Sequence, residues 1–291
     1  MSGSRPVVLV VGAPGRFAGL VVPELARRGA VVRALVQHEH EVDAVRANGA
    51  AEIAVGDLRD GASLDAAVRG AFGVFHIGPA FVADEAELGL AMVAAAQRGG
   101  VRKFVFSSVI QPTNFRLKNH ATKQPVEEAL FGSGLEYTIL QPTNFFQNIG
   151  GAWSAVLSTG VFAEPFPKTA RVARVDYRDV AEVAAIALTS DRLTYGTFEL
   201  CEGTMPNRED IAAMMSHALG RRIEAGEPTF KAWAQNANLP YDLRQRELLA
   251  RVFEHYGAHG SGGNGLVLRA ILGRAPRTLP AYIDELARAA R

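Results

Sequence analysis

The chain has 291 residues, 48% of them hydrophobic, which is enough for a large core and favours one large domain with a smaller appendage. The net charge of +1, from 31 basic and 30 acidic residues, provides no basic field for nucleic acid or an anionic membrane surface. The single cysteine, Cys201, excludes an intramolecular disulfide, and no histidine pattern indicates a metal site. Apolar runs are too short for a membrane span or a secretory leader, so we expect a cytoplasmic protein.

The first strand pattern, at residues 7–11, leads into the turn Gly12-Ala13-Pro14-Gly15-Arg16-Phe17-Ala18-Gly19 and then into a helical pattern. Amides at the start of a helix lack internal partners, and glycine lets the backbone approach a pyrophosphate where a Cβ would block it. The spacing departs from the usual Gly-x-Gly-x-x-Gly fingerprint, but the strand–turn–helix context predicts a dinucleotide site.

Strands and helices then alternate along the chain. Predicted strands lie at 7–11, 31–36, 51–55, 73–77, 102–107 and 136–140, and predicted helices at 40–47, 61–69, 84–98 and 120–132. This alternation predicts an α/β fold with a doubly wound parallel sheet of the Rossmann type. In such sheets, ligands bind beyond the carboxyl ends of the strands.

The alternation loosens beyond residue 150. Helical patterns lie at 177–190, 207–220, 230–257, 264–272 and 279–290, with a strand at 197–200. Asn207 is a predicted helix cap and Gly220 a predicted stop. We expect residues 1–150 to form the dinucleotide-binding domain, with 178–200 returning to it, and residues 151–291 to form a smaller, mostly helical substrate subdomain.

Short motifs carry a resemblance that covers nearly the whole chain. They are Gly12-Ala-Pro-Gly15, Gly56-Asp57-Leu58, the runs 103–108 and 137–145, Lys123, and the runs 175–180 and 273–278. In order and spacing these motifs resemble the NmrA-like family, whose members are atypical short-chain dehydrogenases/reductases. The resemblance implies a Rossmann domain that binds NAD or NADP, followed by a substrate subdomain.

The resemblance also implies cofactor contacts for particular residues. The turn with Gly12, Pro14, Gly15, Arg16 and Phe17 would hold the pyrophosphate. The other implied contacts are Asp57 and Leu58 beside the adenine, His76, Ile77 and Gly78 along the middle of the cofactor, Ser107 or Ser108 and Lys123 at the nicotinamide ribose, and Pro142 and Thr143 at the nicotinamide end.

Two departures from the family pattern affect the cofactor. Pro14 stands where threonine is common and removes an amide donor from the turn. Gln37 stands where relatives often carry an arginine that pairs with the 2′-phosphate of NADP. The 2′-phosphate could instead pair with His38, Arg16 or Arg33. The choice stays open, with NADP(H) slightly favoured over NAD(H) because the sequence places no acid at this strand end to repel a phosphate.

The usual Tyr-x-x-x-Lys pair is incomplete. Lys123 stands at the family's position, but Asn119, which cannot titrate, replaces the tyrosine that protonates the substrate. His120 is the nearest alternative acid, although the same pattern is typical of a surface histidine at a helix start. Ser108 could donate a hydrogen bond to a carbonyl or be only a polar residue at a strand end.

A hydride acceptor that spreads its new charge depends little on a positioned acid. We therefore expect an NAD(P)H-dependent reductase for a small conjugated or aromatic acceptor such as a quinone, held near Asn144, Phe145 and Asn148. The alternatives are a non-catalytic NAD(P)-binding redox sensor that acts through protein partners and a redox-neutral isomerase or dehydratase. An exposed helix pair could support a homodimer.

Overall fold

A computed structural model describes residues 5–237, 239 and 241–291. Its strands are β1 Val7–Val10, β2 Val31–Val36, β3 Glu52–Val55, β4 Gly73–His76, β5 Lys103–Ser107, β6 Glu136–Pro142, β7 Asn144–Phe145, β8 Val161–Ala163, β9 Arg174–Val175, β10 Gly196–Leu200 and β11 Glu224–Gly226. Its helices are α1 Val21–Arg27, α2 Val42–Ala47, α3 Gly61–Val68, α4 Glu85–Arg98, α5 Lys118–Ala121, α6 Gln124–Phe131, α7 Phe146–Gly151, α8 Trp153–Thr159, α9 Tyr177–Thr189, α10 Arg208–Leu219, α11 Phe230–Asn236, α12 Leu243–His259, α13 Leu266–Leu272 and α14 Leu279–Ala289. No helix in these ranges is long and apolar enough to cross a membrane.

The main sheet has seven strands in the order β10-β6-β5-β4-β1-β2-β3. The pairings from β6 across to β3 are parallel. The chain moves outward from β1 to β3 on one side and then returns to β4 on the other. The predicted doubly wound Rossmann fold is therefore confirmed, and the strand order reverses at β1 and β4, where such folds bind ligands.

Two predicted helices are each divided in the structure. The pattern at 120–132 forms α5 and α6, because Pro125 lies in the first turn of α6, where its missing N–H costs no helical hydrogen bond. The pattern at 230–257 forms α11 and α12. Asp242 caps α12 by accepting a hydrogen bond from the backbone N–H of Gln245, and the Gln245 side chain accepts one from the Asp242 N–H.

The described chain divides into two compact units. The first contains residues 5–141 and 180–198, with a core that includes Leu64, Met92 and Phe104. The second contains residues 142–179 and 199–291, is mostly helical, and packs Phe146, Phe162 and Ile283 in a core of its own. That the second unit binds substrate stays a prediction.

Two of the motifs behind the resemblance meet in the second unit. The Asp179 carboxylate is fully buried. It accepts hydrogen bonds from Arg274 Nη2 at 2.8 Å and from the Arg277 backbone N–H at 2.7 Å, and it also pairs with the Arg277 guanidinium. These charge-assisted bonds tie the start of α9 to the segment before α14, so both motifs have a structural role here.

Close packing of α4 on α6 generates a stability prediction. A Cβ on Gly89 would lie 2.4 Å from Val126 Cγ2. We expect Gly89→Ala to lower the free energy of unfolding by about 1–3 kcal/mol through overpacking, as measured by urea denaturation. Gly132→Ala, whose Cβ would meet nothing within 4 Å, is the control.

A double-mutant cycle tests the same clash between Gly89 and Val126. The double variant Gly89→Ala/Val126→Ala should be more stable than the sum of the two single changes predicts, because the second change removes the clashing methyl groups. Additive effects would contradict the packing explanation.

Candidate functional site

The glycine-rich turn follows β1 directly and depends on two glycines. Gly12 has φ +76°, and a Cβ there would lie 3.3 Å from Ile77 Cγ2. The Gly15 N–H donates to Gly12 O at 2.8 Å, and a Cβ on Gly15 would lie 3.0 Å from that oxygen. The backbone is therefore closed tightly against the end of β4, a cradle that a larger side chain would fill. This fits a bound pyrophosphate.

The exposed side of the turn carries Pro14, Gly15 and Arg16. The Arg16 guanidinium lies 4.8 Å from the centre of the Phe17 ring. A groove of about 490 Å³ adjoins the turn and is lined by Pro14, Gly15 and Arg16 together with Ala44 and Ala47 of α2. Three of the residues predicted to hold the pyrophosphate therefore line this groove.

Residues after β2 and β3 meet at the same edge of the sheet. Gln37 Nε2 donates to Asp57 Oδ2 at 3.0 Å. Asp57 Oδ1 accepts from the Arg59 N–H, and Leu58 packs against the core. The structure thus brings together the two strand ends that sequence reasoning assigned to the adenosine half of the cofactor.

A second carboxylate lies at this edge. Glu41 Oε2 accepts hydrogen bonds from the backbone N–H groups of Gln37, at 2.8 Å, and His38, at 3.0 Å. The inference of no acid at the end of the second strand is therefore wrong. Glu41 returns to the strand end through a short 3₁₀ turn, and Asp57 arrives from the next strand.

The His38 and His40 rings are exposed and stack with their centres 5.3 Å apart. No group of three or more metal-binding side chains occurs within the described ranges.

His76 ends β4 and is completely buried. Its ring stacks on Phe106 with centres 5.7 Å apart, and neither ring nitrogen has a hydrogen-bond partner among the described residues. Burial, and secondarily the Lys123 ammonium, lowers the pKa of His76 to about 4. At neutral pH the ring is uncharged, with one donor nitrogen and one acceptor nitrogen.

Lys123 lies between α5 and α6 and is held by two acceptors. Its Nζ lies 2.5 Å from Glu85 Oε1 and 2.9 Å from Asn119 O. The second oxygen of Glu85 accepts from Thr122 Oγ1 at 3.1 Å. Asn119, at the usual tyrosine position, therefore supplies its backbone carbonyl to the lysine.

Ser108 follows β5 and belongs to a buried polar cluster. Its Oγ donates to Glu127 Oε1 at 2.5 Å, and Gln141 Nε2 donates to both Glu127 oxygens at 3.0 and 3.1 Å. The serine proton is therefore committed to Glu127, and a carbonyl at this position would find the oxygen rather than the proton of Ser108. Ser107, which ends β5, is also buried.

His120 lies in α5 and is buried, so it is not a surface histidine. Its Nδ1 is 2.8 Å from Ile110 O, which fixes the ring toward the loop after β5. The short α5 packs against α6 here, which sequence periodicity over 120–132 could not reveal.

The remaining predicted residues lie at the start of the second unit. Thr143 N and Oγ1 both donate to Leu200 O, at 3.0 and 3.3 Å, after Pro142 ends β6. Asn144 Oδ1 accepts from Arg174 Nη1 at 2.8 Å and from Asn148 Nδ2 at 3.4 Å.

Phe145 packs edge-on against Tyr177, with ring centres 4.7 Å apart. It is only partly buried, and Asn148 is exposed. Both can therefore contact a ligand.

Sequence reasoning missed the acids that hold the predicted polar residues. These are Glu41, Glu85 and Glu127. Glu127 stands one helical turn after Lys123, a spacing that could have indicated it. Glu85 gave no such signal, because it comes from α4, far from Lys123 along the chain.

The sheet order and the turn after β1 define a Rossmann-type α/β protein. The sequence profile of the NmrA-like family matches residues 4–285, and the chain belongs to this family. It is 31% identical over 222 residues to the NAD(P)H azoreductase of Xenophilus azovorans, covering 75% of each chain.

Solved structures share the fold. The NADPH-dependent quinone oxidoreductase QOR2 of Escherichia coli, complexed with NADPH, has a TM-score of 0.83 at 21% identity and covers 96% of this chain and 99% of its own. NmrA, a negative transcriptional regulator in complex with NAD, has a TM-score of 0.78 at 18% identity, covering 99% and 97%.

The buried His76 ring predicts acid-sensitive stability. The unfolded chain binds a proton at this ring below about pH 6.5, whereas the folded chain does so only near pH 4, so stability falls as the pH decreases across this window. We expect His76→Phe to lessen the loss of unfolding free energy between pH 7.5 and pH 5 by about 2 kcal/mol.

Urea denaturation at the two pH values measures the effect. His40→Phe, at an exposed ring, is the matched control. Equal pH dependence in His76→Phe and the wild type would contradict the assignment.

Proposed function

We propose that the chain is an NAD(P)H-dependent reductase that transfers hydride to a small conjugated or aromatic acceptor, such as a quinone. The observation that carries this proposal is Lys123 held at the family's position while Asn119 occupies the place of the usual acid. The similar azoreductase and quinone oxidoreductase are named for conjugated or aromatic acceptors, which supports the same class of acceptor for this chain.

In this proposal, different residues of the chain bind different parts of the cofactor. The turn that contains Gly12 and Gly15 binds the pyrophosphate through its remaining backbone amides, since the Gly15 N–H already donates to Gly12 O, and the completely buried His76 supports the strand end beneath the cofactor. Lys123 hydrogen-bonds the nicotinamide ribose. A reduced nicotinamide, when bound, supplies the hydride.

Proton supply favours an acceptor that delocalises charge. Asn119 has no proton to transfer, and the Ser108 proton is committed to Glu127. His120 stays the candidate acid, buried and fixed by Ile110. A localised alkoxide would be poorly stabilised by this set, whereas a hydroquinone anion spreads its charge over a ring.

The predicted substrate contacts are Phe145 and Asn148. Phe145 supplies an apolar face, and Asn148 supplies an exposed amide. Asn144 is already bound to Arg174 and acts mainly by fixing this segment. A cytoplasmic location and a homodimer stay predictions.

The second candidate function is an NAD(P)-binding redox sensor that acts through protein partners. The absent tyrosine is equally consistent with it, and the regulator NmrA shares the fold. Tight cofactor binding with no turnover on any acceptor would favour the sensor over the reductase.

Turnover tests the reductase. The protein is mixed with NADH or NADPH and a panel of quinones, azo compounds and simple ketones, and cofactor absorbance is followed. We expect oxidation with the conjugated acceptors and at least a tenfold loss in kcat/KM for Lys123→Ala, about 1.4 kcal/mol or more of transition-state stabilisation. Lys118→Ala, at an exposed lysine on α5, is the control. Preference for simple ketones would contradict the proposal.

For the choice of dinucleotide, we propose that NADH binds at least as well as NADPH. The earlier preference for NADP(H) depended on an acid-free strand end, and two carboxylates, Glu41 and Asp57, lie beside Gln37. The Arg59 guanidinium nearby is paired with Asp84. A 2′-phosphate at Gln37 would therefore meet net repulsion, whereas a 2′-hydroxyl would find acceptors.

Glu41→Gln should strengthen NADPH binding several-fold and leave NADH binding nearly unchanged, because glutamine keeps an oxygen for the two N–H groups but carries no charge. Thermal-shift titrations with both cofactors measure this. Glu39→Gln, at an exposed acid in the same 3₁₀ turn, is the control. A wild-type protein that prefers NADPH would contradict the proposal.

A further inference from the structure

A buried acid holds the predicted cofactor lysine. Glu85 is the first residue of α4 and only 4% exposed, and its Oε1 lies 2.5 Å from Lys123 Nζ. We propose that Glu85 is a positioning residue that fixes the Lys123 ammonium for the ribose of the dinucleotide. This inference rests on the proposed function, because it assumes that Lys123 contacts the cofactor.

The contacts of Lys123 leave one donor for a ligand. An ammonium has three N–H groups. Glu85 Oε1 and Asn119 O take two of them, and the side chain is still 15% exposed. With two acceptors fixed by α4 and α5, the third N–H has a defined direction, whereas a lysine with one acceptor would rotate about its flexible stem.

Glu85 also lies against the predicted path of the cofactor. A Cβ on Gly78 would be 3.3 Å from both Cγ and Oε1 of Glu85. Gly78 follows β4, where His76 and Ile77 are predicted to run along the dinucleotide. Glu85 therefore links the carboxyl end of β4 to Lys123. Gly78, which has no side chain, leaves the space that the Glu85 side chain occupies.

The acid is itself held in place. Thr122 Oγ1 donates to Glu85 Oε2 at 3.1 Å, so each carboxylate oxygen has a separate partner. The Lys123 ammonium contributes to the lowered pKa of His76. The positive charge of Lys123 therefore lies near the end of β4. An acid in the first turn of a helix interacts favourably with the helix dipole, but such acids are usually solvated. The dipole of α4 therefore does not explain why Glu85 is buried against Lys123 and Thr122.

Cofactor binding, rather than activity alone, tests the proposal. We expect Glu85→Gln to raise the Kd for the better-bound dinucleotide about tenfold, measured by calorimetric titration on the full chain at a temperature where every variant is folded. The kcat of the remaining complex should change less than its KM. Glu87→Gln, at an exposed acid of the same helix, should leave both unchanged.

A double-mutant cycle separates positioning from general destabilisation. In the Lys123→Ala background, Glu85→Gln should have no further effect on the Kd, because the positioned group is absent. A merely structural glutamate would lower the Tm of the cofactor-free chain in both backgrounds and change the Kd in neither. If Glu85→Gln does not fold, Glu85→Asp, which keeps the charge but withdraws it by one methylene, should also weaken binding.

The outcomes distinguish the two proposals. Unchanged binding in the folded Glu85 variants would overturn the positioning role and leave the reductase proposal standing. Tighter binding would overturn it as well, because it would mean that Glu85 draws Lys123 away from the cofactor. A wild-type chain that binds neither NADH nor NADPH would overturn both proposals.

Discussion

The close approach of the first turn to β4 is the constraint on which the rest of the site depends. Gly12 adopts a left-handed backbone, and a Cβ there would lie only 3.3 Å from Ile77 Cγ2. The backbone after β1 therefore lies against Ile77, the residue that follows β4. Parallel pairing of β1 with both β2 and β4 then fixes the strand ends that flank the turn. The local conformational freedom of one glycine thus determines where backbone donors and strand ends meet.

Carboxylates that hold other polar groups are the second level of organisation, and two of them, Glu85 and Glu127, are buried. Glu85 holds Lys123, Glu127 accepts from Ser108 and Gln141, and Glu41 holds the backbone at the end of β2. Glu85 and Glu127 come from helices and Glu41 comes from a short turn, so none of the three lies on a strand of the sheet. Since a buried carboxylate without partners would be costly, these pairings also restrict which side chains can move on ligand binding. The positions of Lys123, Ser108 and the backbone at the end of β2 are therefore fixed by acids that a ligand does not need to contact.

The sequence predicted the sheet because its strands are short apolar runs separated by turn residues, and these signals are local. It also predicted the cap at Asn207 and the stop at Gly220, both of which the structure has. It did not predict the division at Pro125, because helical periodicity continues through the break. Nor could it predict Glu41 beside Gln37 or Glu85 beside Lys123, since side-chain pairs across elements depend on how the backbone folds back. The error on the strand-end charge followed from inspecting only the residues next to the strand.

The pairing of polar groups bears on the chemistry that the first unit can support. Ser108 directs its proton to Glu127, and Lys123 is shared between Glu85 and Asn119. His76 is neutral, because burial and the lysine charge both disfavour a proton on its ring. These three groups transfer protons poorly, since general acid catalysis needs a group that titrates near the working pH and is able to release its proton, and His120 is left as the candidate acid. Hydride transfer to an acceptor whose product anion is stabilised by its own ring makes the smallest demand on such a site. The proposed preference for conjugated acceptors over simple carbonyls follows from this arrangement.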